Sequence, residues 1–297
     1  MSDTFFSAAP HWRWLIVLYF FIGGIAGGSF VLAALLDLFG TPQDRPLVRT
    51  GYYVALLGAL VSGILLTLDL TRPERFWHML IQSERGLPMF KYWSPMSLGA
   101  WGLLLFGGFA LVATLRALHE AGRVRWAVLH PLRGRVLGSL IAVLGGLCGF
   151  FLAGYTGVLL SVTNRPLWAD TAWLGLLFLF SGASTAAALL IQLGLRRRAQ
   201  TTETVYWLTR MDRGVLLLEL LVLIVLALSL GPVLRIWTNV WGLLLMLGVG
   251  LAGIILPLFL EWRPRLLGRL SLPTGAALVL LGGFLLRVVV ILSSEGV

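Results

Sequence analysis

Long runs of apolar residues, separated by short polar segments, dominate the pattern along the chain. The runs are continuous and lack the alternation of apolar and polar residues that is typical of membrane strands. Most of them reach the length of about 18 residues that a helix needs to cross a membrane. Helices also satisfy their backbone hydrogen bonds internally, as the bilayer interior requires. The pattern therefore predicts an all-α integral membrane protein.

We predict eight transmembrane helices, at residues 14–38, 50–69, 96–116, 136–163, 169–195, 214–232, 236–260 and 273–293. Several tryptophans lie close to the predicted ends, where the indole ring prefers the membrane interface. The longest connecting segments, 70–95 and 117–135, are too short to form a separate soluble domain. Residues 1–297 are therefore predicted to form a single transmembrane domain.

Small residues are concentrated in spans one and five. Span one contains Gly23-Gly24 and Gly27-Gly28, and span five contains Ser181-Gly182-Ala183-Ser184. Small residues let two helices approach closely within a membrane. The glycines of span one would also form a smooth wall for a flat ligand, and both interpretations stay open. The similarity of the two faces is compatible with two four-helix halves.

The net charge of +10 comes mainly from arginines in the short segments between spans. This placement is typical of topology determinants, so nucleic acid is not an expected partner. An even number of spans puts both termini on one side, here named the A side, and the opposite side is named the B side. Because the B-side segments carry most of the arginines, the B side is predicted to be cytoplasmic. The protein is then expected in a bacterial or archaeal plasma membrane with both termini outside.

Few residues of this chain are suited to hold a redox metal. Cys148 is the only cysteine, and the four histidines (His11, His78, His119 and His130) lie in connecting segments or at span ends. A haem b in a helical bundle needs imidazoles that project from the spans. We therefore predict no haem and no metal in this chain, so that any redox metal belongs to a partner.

Polar residues near the A-side ends of the spans are the first candidates for function, because burial in a membrane is costly for them. By helical rise, Tyr155 lies about 13 Å below the end of span four and Arg287 about 9 Å below the end of span eight. Asp69 ends span two, and Ser97 opens span three. Each also has a structural alternative: a packed ring for Tyr155, snorkelling or a pair with a carboxylate for Arg287, and a helix-end turn or salt bridge with Arg72 for Asp69.

A quinone is the ligand that best suits this set of residues. It is flat and apolar and carries two oxygens, so it needs an apolar slot with hydrogen-bond donors and proton acceptors. A tyrosine hydroxyl, an arginine and an aspartate supply these functions without a metal.

Acidic residues towards the B side predict a proton route. Asp37 ends span one, Glu261 ends span seven, and Glu219 lies about 9 Å inside span six by helical rise. Glu219 is the strongest candidate of the three, since the other two can reach water. The alternative for Glu219 is an internal pair or hydrogen bond to a neighbouring span.

Five stretches of the sequence carry a family resemblance. They are the glycine-rich first span, Asp69-Leu-Thr-Arg-Pro-Glu-Arg-Phe76, Gly154-Tyr-Thr-Gly157 running to Asn164-Arg-Pro-Leu-Trp168, Phe180-Ser-Gly182, and Gly282-Gly-Phe-Leu-Leu-Arg287. Together they cover nearly the whole chain. The sequence resembles the NrfD/PsrC family, the quinol-interacting membrane subunits of polysulfide-reductase-like complexes.

The resemblance implies an eight-helix fold without haem and a quinone site near the outer face, within the first four helices. It also implies a ferredoxin-like iron–sulfur partner subunit, often followed by a molybdopterin-containing catalytic subunit. Carried onto this chain, Tyr155 becomes a ligand of a quinone oxygen. Some family members place a histidine in the first span, and Tyr19 takes that position here as a hydrogen-bond donor.

The sequence thus predicts a subunit that exchanges electrons and protons between menaquinone or ubiquinone and an iron–sulfur partner, and that is active only within a complex. The predicted residues group by role as follows: Tyr155, Asp69 and Arg287 for catalysis; Tyr19, Gly23, Gly27, Tyr155, Asn164 and Ser97 for the quinone; Glu219 and Asp37 for protons; Arg72, Arg75 and Arg165 for docking the partner. Two alternatives remain open, a transporter or channel that works alone and a structural membrane anchor.

Overall fold

The computed structural model describes residues 12–84, 86–124, 126–196, 202–263 and 267–296. Within these ranges the chain forms long helices joined by short segments. Their bounds are α1 (Trp14–Phe39), α2 (Arg45–Asp69), α3 (Pro95–Glu120), α4 (Arg135–Ser161), α5 (Leu174–Arg196), α6 (Thr202–Ser229), α7 (Val240–Trp262) and α8 (Ser271–Leu292). His11 and two arginines of the basic run after α5, Arg197 and Arg198, lie outside the described residues.

Seven of these helices are long and apolar enough to cross a membrane. The sixth, α6, meets the same condition only together with the short helix Gly231–Trp237, which is bent away from it by 110°. Counting this bent pair as one crossing gives the eight spans that the sequence predicts. The prediction of an all-α, multi-pass membrane protein is confirmed.

The largest difference from the predicted spans is the start of α6. The predicted span begins at residue 214, whereas the helix begins at Thr202. Arg210, Asp212 and Arg213 interrupt the apolar run but not the helix, because a charged residue does not break backbone hydrogen bonding. Hydrophobicity therefore marks where the apolar run begins, and the helix extends well beyond it.

The helices α1 and α5 form the centre of the protein. In the most apolar window of each, 72% of the residues are buried, against 28% in α2 and in α3. A Cβ atom on Gly27 would overlap the backbone of Gly149 in α4, and one on Gly28 would overlap the backbone of Gly182 in α5. The small-residue faces of spans one and five therefore pack against other helices, as expected for close packing within lipid.

The helices fall into two groups of four that meet along α1 and α5. In the first group, α1 packs on α2 and α4, and α3 closes the bundle between them. In the second, α5 packs on α6 and α8, and α7 packs on α8. This arrangement agrees with the predicted division into two four-helix halves.

Both ends of the described chain lie on the A side. The ring of Trp12 stacks on that of Trp168 with the ring centroids 5.2 Å apart. Near the other end, Ser293 Oγ accepts a hydrogen bond of 3.1 Å from the indole of Trp237, which precedes α7. The common side follows from an even number of crossings.

Candidate functional site

Tyr155 lies near the A-side end of α4, buried against two other helices. It precedes the end of that helix at Ser161 by six residues, which is about 9 Å of helical rise. Its ring stacks on Phe151 with the centroids 5.3 Å apart. Its hydroxyl donates a hydrogen bond to the carbonyl oxygen of Pro95 in the first turn of α3. The residue is shallower than predicted, because α4 ends before residue 163.

Gly99 provides the surface on which the Tyr155 ring lies. A Cβ atom at position 99 would overlap the hydroxyl oxygen and the ring carbons of Tyr155. Any larger residue would therefore displace the phenol from its hydrogen bond with Pro95. The sequence does not mark Gly99 as a site residue, because a glycine within an apolar span gives no signal of what it faces.

Tyr19 lies close to this phenol, and both Tyr19 and Ser62 lie beside Gly23. The Tyr19 side chain is buried in α1 and close enough to Tyr155 for an electrostatic interaction. The Ser62 hydroxyl of α2 is fully buried and has no hydrogen-bond partner within the part of the chain that the structure describes. A Cβ atom on Gly23 would lie 3.6 Å from both Ser62 Oγ and the Tyr19 ring. The first four helices thus gather two phenols and an unsatisfied hydroxyl.

The remaining residues predicted to bind the quinone are distributed between the surface and the helix contacts. Gly23 lies beside Tyr19, whereas Gly27 lies one turn deeper, at the contact between α1 and α4. Ser97 is half-buried, and its hydroxyl accepts a hydrogen bond of 3.1 Å from the backbone N–H of Lys91. Asp69 and Asn164 are exposed at the A side. The structure therefore brings Tyr19, Gly23 and Tyr155 together and places Asp69, Ser97 and Asn164 nearer the surface.

The three arginines predicted to dock a partner differ in exposure. Arg72 and Arg75 are exposed in the segment after α2. Arg165 is buried, with its Nη1 donating to the carbonyl oxygen of Ser294 at 2.6 Å and its guanidinium 5.7 Å from the centre of the Trp168 ring. Arg165 is thus held inside the protein, where it joins the α4–α5 loop to the end of α8.

Arg287 is fully buried in α8 and bound by α5. Its Nη1 donates to Ser181 Oγ and, at 2.7 Å, to the carbonyl oxygen of Gly283. The guanidinium carbon also lies 5.2 Å from the centre of the Phe178 ring, within the range of a cation–π interaction. A permanent charge in such surroundings requires these acceptors and rings as compensation.

Glu219 in α6 provides a negative charge close to Arg287. Ser184 Oγ donates to Glu219 Oε2 at 2.9 Å, and the Ser181 side chain lies against the same carboxylate. Ser181 therefore stands between the guanidinium and the carboxylate. Because α6 begins at Thr202, Glu219 is 17 residues from its B-side end, or about 26 Å of helical rise. The predicted depth of about 9 Å was counted from the start of the apolar span, whereas the helix begins earlier, and Glu219 lies in the half of the helix nearer the A side.

Asp37 belongs to a network of charges at the B side. Its carboxylate lies 2.7 Å from Arg45 Nη1 and 2.9 Å from Arg116 Nη1, and it accepts a hydrogen bond of 3.1 Å from the Tyr52 hydroxyl. Arg116 Nε also lies 3.0 Å from Glu120 Oε1. These contacts tie the B-side ends of α1, α2 and α3 together.

The serines at these sites illustrate what sequence reasoning missed. In the sequence, Ser181 and Ser184 look like small packing residues, and nothing marks Ser62. The separation of Ser181 and Ser184 by three positions, about one helical turn, is the available signal that they share a face.

Within the described residues no group of three or more His, Cys, Asp and Glu side chains is placed to hold a metal ion.

These features define a helical, multi-pass membrane protein with two buried phenols near one side of its first four-helix bundle. The chain matches the family model "Polysulphide reductase, NrfD" over residues 4–295. It therefore belongs to this family, as its sequence motifs predicted.

Three curated relatives illustrate the range of similarity. Protein NrfD of Escherichia coli is 31% identical, over 96% of this chain and 95% of the relative. The C chain of polysulfide reductase from Wolinella succinogenes is 27% identical, over 72% of this chain and 68% of the relative. The C subunit of selenate reductase from Mesobacillus selenatarsenatis is 26% identical over a shorter region, 36% of this chain and 22% of the relative.

Proposed function

We propose that this chain is the membrane subunit of a multi-subunit reductase complex, and that it exchanges electrons and protons with a quinone pool. The family match supports the first part, since two relatives are named as parts of polysulfide and selenate reductases. The observation that carries the second part is the proximity of the buried Tyr19 and Tyr155 near the A side, with the buried Ser62 hydroxyl beside Gly23 of the same helix as Tyr19.

The residues at this place fit a quinone. The buried Ser62 hydroxyl lacks a partner within the described ranges, and unsatisfied buried polar atoms are rare unless they have a role. The Tyr155 and Tyr19 hydroxyls lie on neighbouring helices, and aromatic rings, including Phe151 and Phe20, surround them. An apolar slot with a few hydroxyl donors is the kind of site that a flat dicarbonyl ligand requires.

The two tyrosines are proposed to orient the ligand and to donate hydrogen bonds to its oxygens. When bound, menaquinone or ubiquinone would supply the two-electron, two-proton chemistry. Tyr155 would redirect its hydrogen bond from the Pro95 carbonyl to the ligand. A tyrosine keeps its proton at neutral pH and so acts as a donor rather than as a base. The exposed carboxylate of Asp69, at the end of α2, is the proposed proton acceptor towards water.

Electrons are proposed to leave through an iron–sulfur partner subunit, since a single cysteine cannot hold a cluster in this chain. Arg72 and Arg75 are exposed on the same side as the phenols and are the proposed docking residues. A molybdopterin-containing subunit beyond the iron–sulfur subunit would complete the assembly. Arg165 would act indirectly, by holding the loop that follows α4.

Proton movement within the membrane is proposed to use Glu219, which Ser184 and Ser181 connect to Arg287. Buried ionisable residues of this kind often mark proton routes in membrane proteins. Asp37 is proposed to contribute at the B side, where its network with Arg45 and Arg116 lies.

The test of the quinone proposal is Tyr155→Phe, with Tyr53→Phe in α2 as the matched control. The phenylalanine keeps the ring on Gly99 and removes only the hydroxyl. We expect quinol-linked turnover of the purified complex to fall about 100-fold, the size of loss that follows removal of one hydrogen-bond donor to a developing charge, while the same subunits stay assembled. Turnover at the wild-type rate would refute the role of Tyr155.

A complex without an iron–sulfur subunit would favour a transporter that works alone. Quinol-linked turnover that is insensitive to every Tyr155 and Tyr19 substitution would favour a structural anchor.

A further inference from the structure

A cavity of about 290 Å³ opens at the B side between α6, the end of α7 and the start of α8. Its polar wall is formed by Thr209, Arg213, Glu261 and Ser271, and Tyr206 stands beside them. A water molecule occupies about 30 Å³ in the liquid. The cavity is therefore large enough for several water molecules and has the polar groups to bind them.

Arg213 and Glu261 form an ion pair in the wall of this cavity. Arg213 Nε lies 3.4 Å from Glu261 Oε2, and the side chains are 40% and 7% exposed. The guanidinium thus reaches outwards while the carboxylate faces the interior. This pair marks the boundary between the cavity and the buried part of α6.

Asp212 is the next acidic residue inwards. It is only 1% exposed, and its Oδ1 has no hydrogen-bond partner within the described part of the chain. It interacts electrostatically with both Glu261 and Glu219. An ionised carboxylate is costly to bury without a partner. Binding a proton would therefore remove the cost of burying the Asp212 charge.

Asp212 and Glu219 lie on the same face of α6. They are seven positions apart, nearly two helical turns, with a rise of about 10 Å between them. Side-chain reach and one bridging water would span this distance. Beyond Glu219, Ser184 and Ser181 continue the series of polar groups to Arg287, near the A-side end of α8.

We propose that the B-side cavity is a water-filled proton inlet and that Asp212 passes protons from it to Glu219. This inference rests on the proposed exchange with quinone, since reduction of the quinone consumes protons that must reach its site. A hydronium ion in the cavity water breaks one O–H bond and leaves water, as an O–H bond forms on the Asp212 carboxylate. That bond then breaks as the proton forms an O–H bond on the Glu219 carboxylate, and Asp212 returns to its carboxylate form. No electrons are transferred in either step.

Thiol accessibility tests the cavity independently of quinone chemistry. Cys148→Ala removes the only cysteine and provides the background for Thr209→Cys in the cavity and Thr114→Cys, a buried control in α3. In membrane vesicles of the native complex, we expect a charged, water-soluble thiol reagent to modify Thr209→Cys at least tenfold faster than Thr114→Cys. Equal rates would show that water does not fill the cavity and would overturn the inlet.

The number of protons taken up per electron tests Asp212. In vesicles containing the complex, we expect Asp212→Asn to lower this ratio at least twofold and Asp212→Glu to restore part of it. Glu203→Gln, an exposed acid on the same helix, is the control and should keep the wild-type ratio. A wild-type ratio in Asp212→Asn, with quinol turnover intact, would overturn the route and leave the proposed function standing.

If the Asp212→Asn complex does not assemble, a second measurement still tests the inlet. In folded Thr209→Cys complex, a bulky thiol reagent would close the cavity after assembly. We expect the proton ratio to fall after modification if the cavity is the inlet, and an unchanged ratio would overturn the proposal. If the quinone proposal itself is wrong, quinol-linked turnover will instead be insensitive to Tyr155→Phe, which separates the two failures.

Discussion

The indole nitrogen of Trp168 donates a hydrogen bond of 2.8 Å to the carbonyl oxygen of Val290. Arg165 adds a second bond to the same region through the carbonyl oxygen of Ser294. Together they fasten the α4–α5 loop to the A-side end of α8, which joins the two groups of four helices. The segment that contains Asn164, predicted to bind the quinone, and Arg165, predicted to dock a partner, is therefore also a structural connection.

We expect Trp168→Phe to lower the stability of the protein. The substitution removes a buried hydrogen bond, worth about 1 kcal/mol, and leaves a space beside Trp12. Thermal unfolding in detergent would measure the loss as a lower melting temperature. Trp173→Phe, at a half-exposed ring on the same loop, serves as the control, and an equal shift in both variants would contradict the importance of the Trp168 bond.

Gly99→Ala should impair the tyrosine site with little effect on the rest of the fold. The added methyl group would overlap the Tyr155 ring, so the phenol must leave its position. We expect quinol-linked turnover to fall at least tenfold. Gly107→Ala, on the same helix with open space around it, controls for the change in helix propensity. Equal turnover in the two variants would show that the position of the Tyr155 ring does not matter.

Arg287 and Glu219 should be energetically coupled. Removing one charge leaves the other with only neutral partners, which should cost less than the roughly 3–5 kcal/mol typical of a broken direct ion pair. We expect Arg287→Gln and Glu219→Gln each to reduce the yield of folded protein, and the double variant to lose less than the sum of the two. A double-mutant cycle on detergent unfolding would measure the coupling, and strict additivity would indicate that the two residues do not interact.

Asp37→Asn distinguishes a structural role from a role in proton transfer. The Asp37 carboxylate compensates Arg116, whose side chain is only 10% exposed. We expect the variant to lose about 3 kcal/mol of stability, measured by unfolding in detergent against Asp170→Asn at the exposed A-side loop. A stable Asp37→Asn variant with a lower proton-to-electron ratio would instead assign Asp37 to the proton route.

The sequence was most informative about the class of fold. Continuous apolar runs determine helices that cross a membrane, because the cost of an unsatisfied backbone in lipid excludes most other structures. The small residues of spans one and five indicated close packing, and Gly27 and Gly28 indeed lie where α1 meets α4 and α5. The motifs around Asp69, Tyr155 and Arg287 were sufficient to identify the family.

The sequence did not identify the partners of the polar residues. A buried polar side chain must find a partner, but composition does not tell whether that partner is a ligand, a serine or a distant carbonyl group. Arg165 looked like a docking residue until its bond to Ser294 placed it inside the protein. Hydrophobicity also did not reveal that α6, which carries Glu219, extends back to Thr202.

The sequence by itself determined that this protein is a bundle of apolar helices with hydroxyl, carboxyl and guanidinium groups inside the predicted membrane spans. Only the tertiary structure decided which of these groups meet. It placed Tyr19 near Tyr155, and Ser181 between Arg287 and Glu219. The physical reason is that the desolvation of a polar side chain depends on the apolar residues of its own helix, which the sequence shows. The partners that compensate a buried polar group come from neighbouring helices, and only packing sets the rotation and register of those helices.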